Sequence, residues 1–294
     1  GRGLNDIDLA SPLTPSLDLD EDPSLEHLER MTDDCGLLQH AMFGVADRRH
    51  GYCTDDNARA LIAALMHQDL TDDPSASRLA ERYLSFLAHA FDDGRRQFRN
   101  FMGYDRSWLE DVGSDDSNAR ALWALGFTVW SEKTDSIRLL VYRLCKSALD
   151  RVLEGPSPRT QAFATLGMHY FHKAIPIDAK VERLYSQTAA KLRQMFENDL
   201  AEHWPWPEPV LTYDNARMPQ ALIFAGQDLG DDRMLSLGLR HLEWLADQQI
   251  GRDGVVSLVS HQTWRMNDAA RPIFDQQPVE AAAMVESCAT AYFA

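Results

Sequence analysis

Two kinds of apolar pattern alternate along the chain. In the first, small and aliphatic residues follow one another almost without polar interruption, as in Ala58-Arg59-Ala60-Leu61-Ile62-Ala63-Ala64-Leu65. Such a run predicts a helix buried on most of its sides. In the second, apolar residues recur at three- and four-residue spacing, as in Leu79, Tyr83, Leu84 and Leu87, which predicts a helix with one buried stripe. One-sided segments fall at residues 76–91, 135–153, 178–200 and 231–249, and the fully apolar kind lies between them. A short first helix is predicted over about residues 24–31, behind Pro23. Buried helices alternating with one-sided ones imply two concentric layers, and no run of alternating β-branched residues argues for a sheet core.

The buried helices open on a repeat. Thr54-Asp55-Asp56-Asn57-Ala58-Arg59-Ala60-Leu61, Ser114-Asp115-Asp116-Ser117-Asn118-Ala119-Arg120-Ala121-Leu122 and Tyr213-Asp214-Asn215-Ala216-Arg217 share the core Asn-Ala-Arg. Two weaker copies follow the pattern. Arg159-Thr160-Gln161-Ala162-Phe163-Ala164-Thr165-Leu166-Gly167 matches the run ending at Gly126, and Phe274-Asp275-Gln276-Gln277-Pro278-Val279-Glu280 reads as a fifth helix start. Self-similarity at roughly 40–60 residues marks helical repeats. An open solenoid and a closed toroid both satisfy it. The segments before the buried helices are long and aromatic: Phe98 to Tyr104 with Trp108, His203-Trp204-Pro205-Trp206-Pro207, and His261-Gln262-Thr263-Trp264-Arg265. Solenoids keep such connections short, whereas toroids gather them around a central cleft. The expected fold is therefore all-α, an (α/α)6-type toroid of helical hairpins over residues 23–294, behind an extended acidic arm or linker at 1–22. Five inner helices are visible, so the toroid is expected to be incomplete at its C-terminus and the native chain to continue past Ala294.

Composition narrows the partners. The chain has 294 residues, 45% of them hydrophobic, enough for one large core. Its net charge of −16 repels phosphate backbones and anionic headgroups. Nucleic acid and membrane surfaces are set aside, and a neutral or cationic ligand fits. The four cysteines are far apart and form no CxxC pair, and there is no apolar signal-peptide core, so reduced thiols and a cytoplasmic location are expected. No stretch approaches the ~18 consecutive apolar residues of a membrane span.

Aspartate at a helix start ordinarily caps free N–H groups. Here the acids come doubled, at Asp55-Asp56 and Asp115-Asp116, where a cap needs one. They recur with Asn and Arg on several inner helices, whose starts converge in a toroid. A converging ring of carboxylates, amides and guanidinium groups suits sugar hydroxyls. The expected binding set is Asp55, Asn57, Arg59, Asp115, Asn118, Arg120, Arg217, Asp275, Gln276 and Gln277, with Trp108, Trp206 and Trp264 as stacking faces. Arg59, Arg120 and Arg217 lie one turn into apolar helices and are expected to pair with neighbouring aspartates, because buried charge is costly unpaired. Such pairing would lower the carboxylate pKa values. Pro278 fits a first helical turn, and Glu280 then falls where it could face the cavity mouth with a raised pKa.

Glycoside hydrolysis needs two carboxyl groups, ~5–5.5 Å apart for retention or ~6.5–9.5 Å for inversion. The catalytic candidates are Asp56, Asp116, Asp214 and Glu280. Two other readings share the cavity. A non-catalytic glycan-binding or scaffold domain needs no spaced carboxyls, and a sugar epimerase would want a histidine pair, for which His40 and His261 stand out. His40, His50, Cys35 and Cys53 match no compact metal motif, and there is no glycine-rich phosphate loop or nucleophile elbow. No metal and no cofactor are expected.

Gly36-Leu37-Leu38-Gln39-His40-Ala41, the stretch from His50 to Leu61, Tyr213-Asp214-Asn215-Ala216-Arg217 and the stretch from Phe274 to Glu280 resemble a bacterial helical domain found fused to, or encoded near, GT-B glycosyltransferases. That domain is itself similar to the six-hairpin glycosidase superfamily. The resemblance covers residues 26–294. It implies a toroid and a glycosyltransferase as partner but no activity; an oligosaccharide or glycan is expected as ligand from the polar helix starts. The resemblance carries over no catalytic residues.

Overall fold

Most of the helical runs begin beside a side chain that accepts from the free N–H groups of the helix start. In the computed structural model, which describes residues 23–71, 73–149, 155–198, 203–251, 254–260, 264–265 and 274–294, ten α-helices result. They are α1 (Glu26–Arg30), α2 (Thr54–Leu70), α3 (Pro74–Ala90), α4 (Asp115–Ser131), α5 (Asp135–Ala148), α6 (Pro158–Ala174), α7 (Ala179–Glu197), α8 (Arg217–Leu229), α9 (Asp232–Gln249) and α10 (Pro278–Tyr292). The Cys53 sulfur caps α2 by accepting from Asp56 N, and the Ser114 hydroxyl caps α4 by accepting from Ser117 N. Ser157 caps α6, where Pro158 takes the first-turn place that needs no N–H. Asp73, Asp178 and Asp231 cap α3, α7 and α9. The expected arm at 1–22 lies outside the described residues.

Burial separates the two layers most clearly in the middle of the chain. α4 and α6 each bury twelve of their seventeen residues, whereas α5 buries three of fourteen, Val141, Cys145 and Ala148. Helices α2, α4, α6, α8 and α10 form the inner layer, packed in that order, and α3, α5, α7 and α9 lie outside them as hairpin partners. The fold is the all-α, (α/α)6-type toroid.

The tightest inner contact is between α4 and α6. A Cβ on Gly126 would stand 2.1 Å from the Gly167 carbonyl oxygen, and one on Gly167 would stand 2.8 Å from the Leu122 oxygen. These two glycines are the aligned ends of two repeat copies, so the repeat encodes a backbone-to-backbone approach that no side chain fits.

The loops before the inner helices carry four antiparallel two-residue ladders. They are β1 (Ala41–Met42) with β2 (Val45–Ala46), β3 (Tyr52–Cys53) with β6 (Phe101–Met102), β4 (Phe91–Asp92) with β5 (Gln97–Phe98), and β7 (Val210–Leu211) with β8 (Trp264–Arg265). The β3–β6 pair ties the entry of α2 to the loop before α4, with Cys53 opposite Phe101. The Thr54 hydroxyl reinforces the tie by donating to the Arg99 carbonyl at 2.6 Å. The long loops thus bind inner-helix starts to one another at one end of the toroid.

Gly126→Ala is expected to destabilise the fold by about 1–3 kcal/mol through overpacking against backbone that cannot yield. Gly44→Ala, where a Cβ meets nothing within 4 Å, is expected to stay within about 0.5 kcal/mol of the parent. Thermal and urea melts of the two variants check this.

Candidate functional site

The site is built from helix starts. Arg120, one turn into α4, is 1% exposed. Its guanidinium lies against the carboxylates of Asp55 and Asp214, the latter at 2.7 Å, with the Phe163 ring 3.9 Å beneath it. The approach is close but the angles are poor: Arg120 Nε and Nη2 and Asp214 Oδ2 complete no aligned hydrogen bond. The contact is an ion pair with a cation–π floor. Burial works against the charge of Arg120, yet Asp214, Asp55 and Asp116 together raise its pKa.

The pairing continues on both sides. Asp55 also meets Arg59 at 2.8 Å, and Arg59 meets Asp56 at 2.5 Å. Asp214 lies 3.8 Å from Arg217, which holds Glu286 at 2.6 Å and covers the Trp123 ring at 4.8 Å. The order Asp56, Arg59, Asp55, Arg120, Asp214, Arg217, Glu286 alternates in sign from α2 across α4 and α8 to α10. Asp56, Arg59, Arg120, Trp123, Asp214, Arg217 and Glu286 line a cavity of about 450 Å³. Its remaining wall, between α2 and α10, is apolar and includes Leu28, Leu37, Ile62, Met66, Val279 and Ala282.

A second polar chain lies beside the first. The Tyr213 hydroxyl donates to Asp116 at 2.5 Å. Arg159 donates to the Tyr213 carbonyl at 2.9 Å, pairs with Glu208 at 2.8 Å and stacks on the Tyr213 ring at 4.7 Å. Asn215 donates from its backbone and side-chain nitrogens to Glu280, at 3.2 and 2.8 Å. Asp214 between them has φ of +53°, a left-handed conformation uncommon for a non-glycine residue. Arg120 on one side and the Asn215–Glu280 bonds on the other hold it there.

The predicted residues separate into groups. Asp55, Asp56, Arg59, Arg120, Asp214 and Arg217 come together at the cavity, and Asp116 adjoins them through Tyr213. Asp116 precedes Asn118 by two residues, whereas Asp56 directly precedes Asn57, so the doubled acids are offset by one position. Asp116 shares the register of Asp55, and Ser117, buried under its own cap bond to Ser114, takes that of Asp56. Asp115 turns away to a small groove with Gln97, Gly155 and Thr160.

Asn57 and Asn118 do not reach the cavity. Asn57 accepts from Leu37 N at 2.9 Å and donates to the Cys53 carbonyl at 2.8 Å; Asn118 accepts from Phe98 N at 2.7 Å and donates to the Ser114 carbonyl at 2.9 Å. The repeated asparagine clamps the preceding loop to its helix. Glu280 is not at the mouth: it is 1% exposed, against Asn215 and Gln249. Asp275, Gln276 and Gln277 are exposed ahead of α10, and Gln276 accepts from Leu258 N at 2.9 Å, a loop contact.

The expected tryptophan platforms are packed away from the cavity. Trp206 is buried against Trp244 and Phe196, Trp264 packs edge-on against Trp204, and Trp108 lies among Phe86, His89 and Arg99. Large flat rings in long loops serve first to seal those loops onto the outer helices. Cys53 donates its thiol to Asp56 at 3.0 Å. His40 is exposed and stacks edge-on with His50, 4.4 Å between centroids; His261 lies outside the described residues.

Pairing with arginine was expected to lower the carboxylates. Asp116 goes the other way: burial outweighs the Tyr213 bond and the charges of Arg120 and Arg159. Glu280 is also raised, by burial first and by the nearby charge of Asp214, against the Asn215 bonds. Glu208 is raised by burial despite Arg159.

The sequence pattern does not mark Trp123, Glu286, Tyr213, Arg159 or Asn215 as site residues. A signal existed for Arg159. Aligned on Gly126 and Gly167, the weak copy puts Arg159 where the others have Asn, and a longer charged side chain there reaches the next helix start instead of its own loop.

No protein-family model matches the chain, and no curated protein does. Solved structures do. A sugar epimerase from a ruminal bacterium superposes with a TM-score of 0.68 at 11% identity, over 92% of this chain and 82% of that one. The cellobiose 2-epimerase of Spirochaeta thermophila superposes with a TM-score of 0.61 at 14% identity, over 90% and 79%. At such identities the likeness shows the fold.

Arg120→Met leaves the carboxylates of Asp55 and Asp214 without their partner and is expected to cost about 3–5 kcal/mol in urea unfolding. Glu280 gives a pH signature. Its folded pKa lies above the ordinary 4.5, so the folded chain favours the protonated form. Its contribution is fully present below that value and shrinks as pH rises through the folded pKa. The stability advantage of the parent over Glu280→Gln is expected to fall between pH 4 and pH 7 in urea titrations; an advantage that grows with pH would contradict the raised value.

Proposed function

We propose that the chain is a carbohydrate-active enzyme that cleaves a glycosidic bond, with Asp116 as the acid and Asp56 as the base. Glycoside hydrolysis needs one carboxyl that keeps its proton and one that gives it up, in reach of the same bond. The observation that carries the reading is the set of carboxyl groups at inner-helix starts: Asp56 lines an open cavity beside Arg59, and Asp116, raised by burial, stands next to that lining under the Tyr213 hydroxyl, within the field of Arg120. Asp214 and Glu280 are each 1% exposed and serve in this reading to position the floor rather than to transfer protons. Arg59, Arg120 and Arg217 orient sugar hydroxyls through the carboxylates they hold. The net charge of −16 suits an uncharged glycan.

Two fold neighbours bear epimerase names, which favours a second reading, a sugar epimerase. Epimerisation beside a carbonyl needs a base and an acid at one carbon. The cavity lining contains no histidine among the described residues, and the carboxyl–tyrosine couple Asp116–Tyr213 would have to serve. The sequence resemblance adds a third, a non-catalytic glycan-binding or scaffold domain of a glycosyltransferase system, with a glycosyltransferase as partner. Among the described residues no helix is long and apolar enough to cross a membrane.

A glycan-library incubation in deuterium oxide separates the three. Cleavage products with a new reducing end support the hydrolase, deuterium incorporation with an inverted carbon and no cleavage supports the epimerase, and binding without either supports the scaffold. Asp116→Asn and Asp56→Asn are each expected to lower kcat by about 10²–10⁴, the range for removing an acid or base catalyst, with the melting temperature kept.

A further inference from the structure

The aromatic residues exposed to solvent differ in what their rings touch. Trp130 packs against Phe127 and Tyr170, Tyr292 against Phe293, Tyr104 against Tyr52 with Arg48 over it, and Tyr213 beneath Arg159. Three exposed rings, Phe43, Phe101 and Phe274, have no ring or cation partner among the described residues. All three stand on loops that enter inner helices lining the cavity. Phe101 pairs across the β3–β6 ladder with Cys53, the cap of α2 and the hydrogen-bond donor to Asp56. Phe43 tips the β1–β2 hairpin, which rises from the Gln39–Gly51 backbone bond, next to the cavity-lining Leu37. Phe274 stands four residues before Pro278, also in the lining.

Phe43 and Phe274 gain little from the fold itself, and Phe101 leaves 40% of its surface in water. Phe43 is fully exposed, and its φ of +55° is one that a bulky residue avoids. Asp275, beside Phe274, has φ of +59°. Backbone strain that presents an apolar ring to water is understandable when the ring's partner lies outside the molecule. A flat apolar ring near a cavity with one charged side matches the C–H face of a pyranose, whose hydroxyls point the other way.

We propose that the cavity mouth is a platform for an extended oligosaccharide, with Phe43, Phe101 and Phe274 stacking sugars that lie beyond the one held at the carboxylates. The inference rests on the carbohydrate reading of the cavity and deepens it: the substrate is a chain of several sugars that extends past the sugar residues flanking the cleaved bond. The tryptophans that the sequence offered for stacking are used in packing, and these phenylalanines take the role.

The test is calorimetric titration of the intact chain with gluco-, manno- and xylo-oligosaccharide ladders, each from monosaccharide to hexasaccharide. For at least one ladder, affinity is expected to rise with length. The Phe43→Ser, Phe101→Ser and Phe274→Ser variants are each expected to lose about five- to thirtyfold of the affinity for the longer members, as for truncation of an interface anchor. Their monosaccharide affinity and melting temperature should hold. Tyr292→Ser, at the far end of α10, should change nothing. Affinity independent of length, or phenylalanine variants that match the parent along the whole ladder, overturns the platform and leaves the carboxylate reading standing. Absence of binding at every length of every ladder overturns the platform too, while turnover of any library glycan that Asp116→Asn abolishes would still sustain the cavity chemistry.

Discussion

A guanidinium buried among carboxylates holds the functional end of this toroid together. Arg120 has almost no contact with water, and its charge is tolerable only while Asp55 and Asp214 stay where they are. Those two residues belong to the start of α2 and the entry of α8, so one side chain on α4 fixes three helix starts relative to one another. Each carboxylate is shared with a further arginine, and each arginine with a further acid. Displacing one group leaves a charge unpaired in a poorly solvated place, which makes the geometry of the floor stiff.

That stiffness depends on the layers beneath it. Gly126 and Gly167 let α4 and α6 approach at backbone distance, which sets Arg120 over Phe163 of the adjacent helix. The asparagines of the repeat bind each entry loop to its own helix. Arg159, standing in the asparagine place of its copy, binds the next start instead and carries the linkage to Tyr213 and Asn215. Glu280 then closes the path from α10. The Asn-Ala-Arg motif thus divides its labour: the asparagine shapes the loop, and the arginine shapes the cavity.

The proposed chemistry rests on unlike partners for similar groups. Asp116 rests half-buried beneath a tyrosine hydroxyl, where loss of water favours its proton, whereas Asp56 stands at the cavity wall against Arg59. Two carboxyls in unlike surroundings are what bond cleavage at a sugar requires. In the proposed reading, the apolar wall between α2 and α10 and the unpartnered rings at the mouth would take the non-polar faces of the same ligand.

The chain's own pattern of apolar residues determined the layers, the order of the hairpins, the toroid and the end at which polar groups gather. These are local or periodic properties: a helix buried all round differs in composition from one buried on a stripe, and a cap must stand beside the helix it begins. The repeat also marked Arg59, Arg120 and Arg217 as paired cations, because a charge inside an apolar run has few other fates. Tertiary structure alone decided the rest. A one-residue offset turns the side chain by about 100° on a helix and sends Asp116 and Asp56 to different surroundings, although both belong to an acid pair. Trp108, Trp206 and Trp264 look like sugar platforms in the sequence, yet loop closure buries or packs them, since the same apolar face that would stack on a sugar stacks first on a neighbouring ring. Glu286 and Trp123 carry no local mark, for their partner Arg217 comes from another helix.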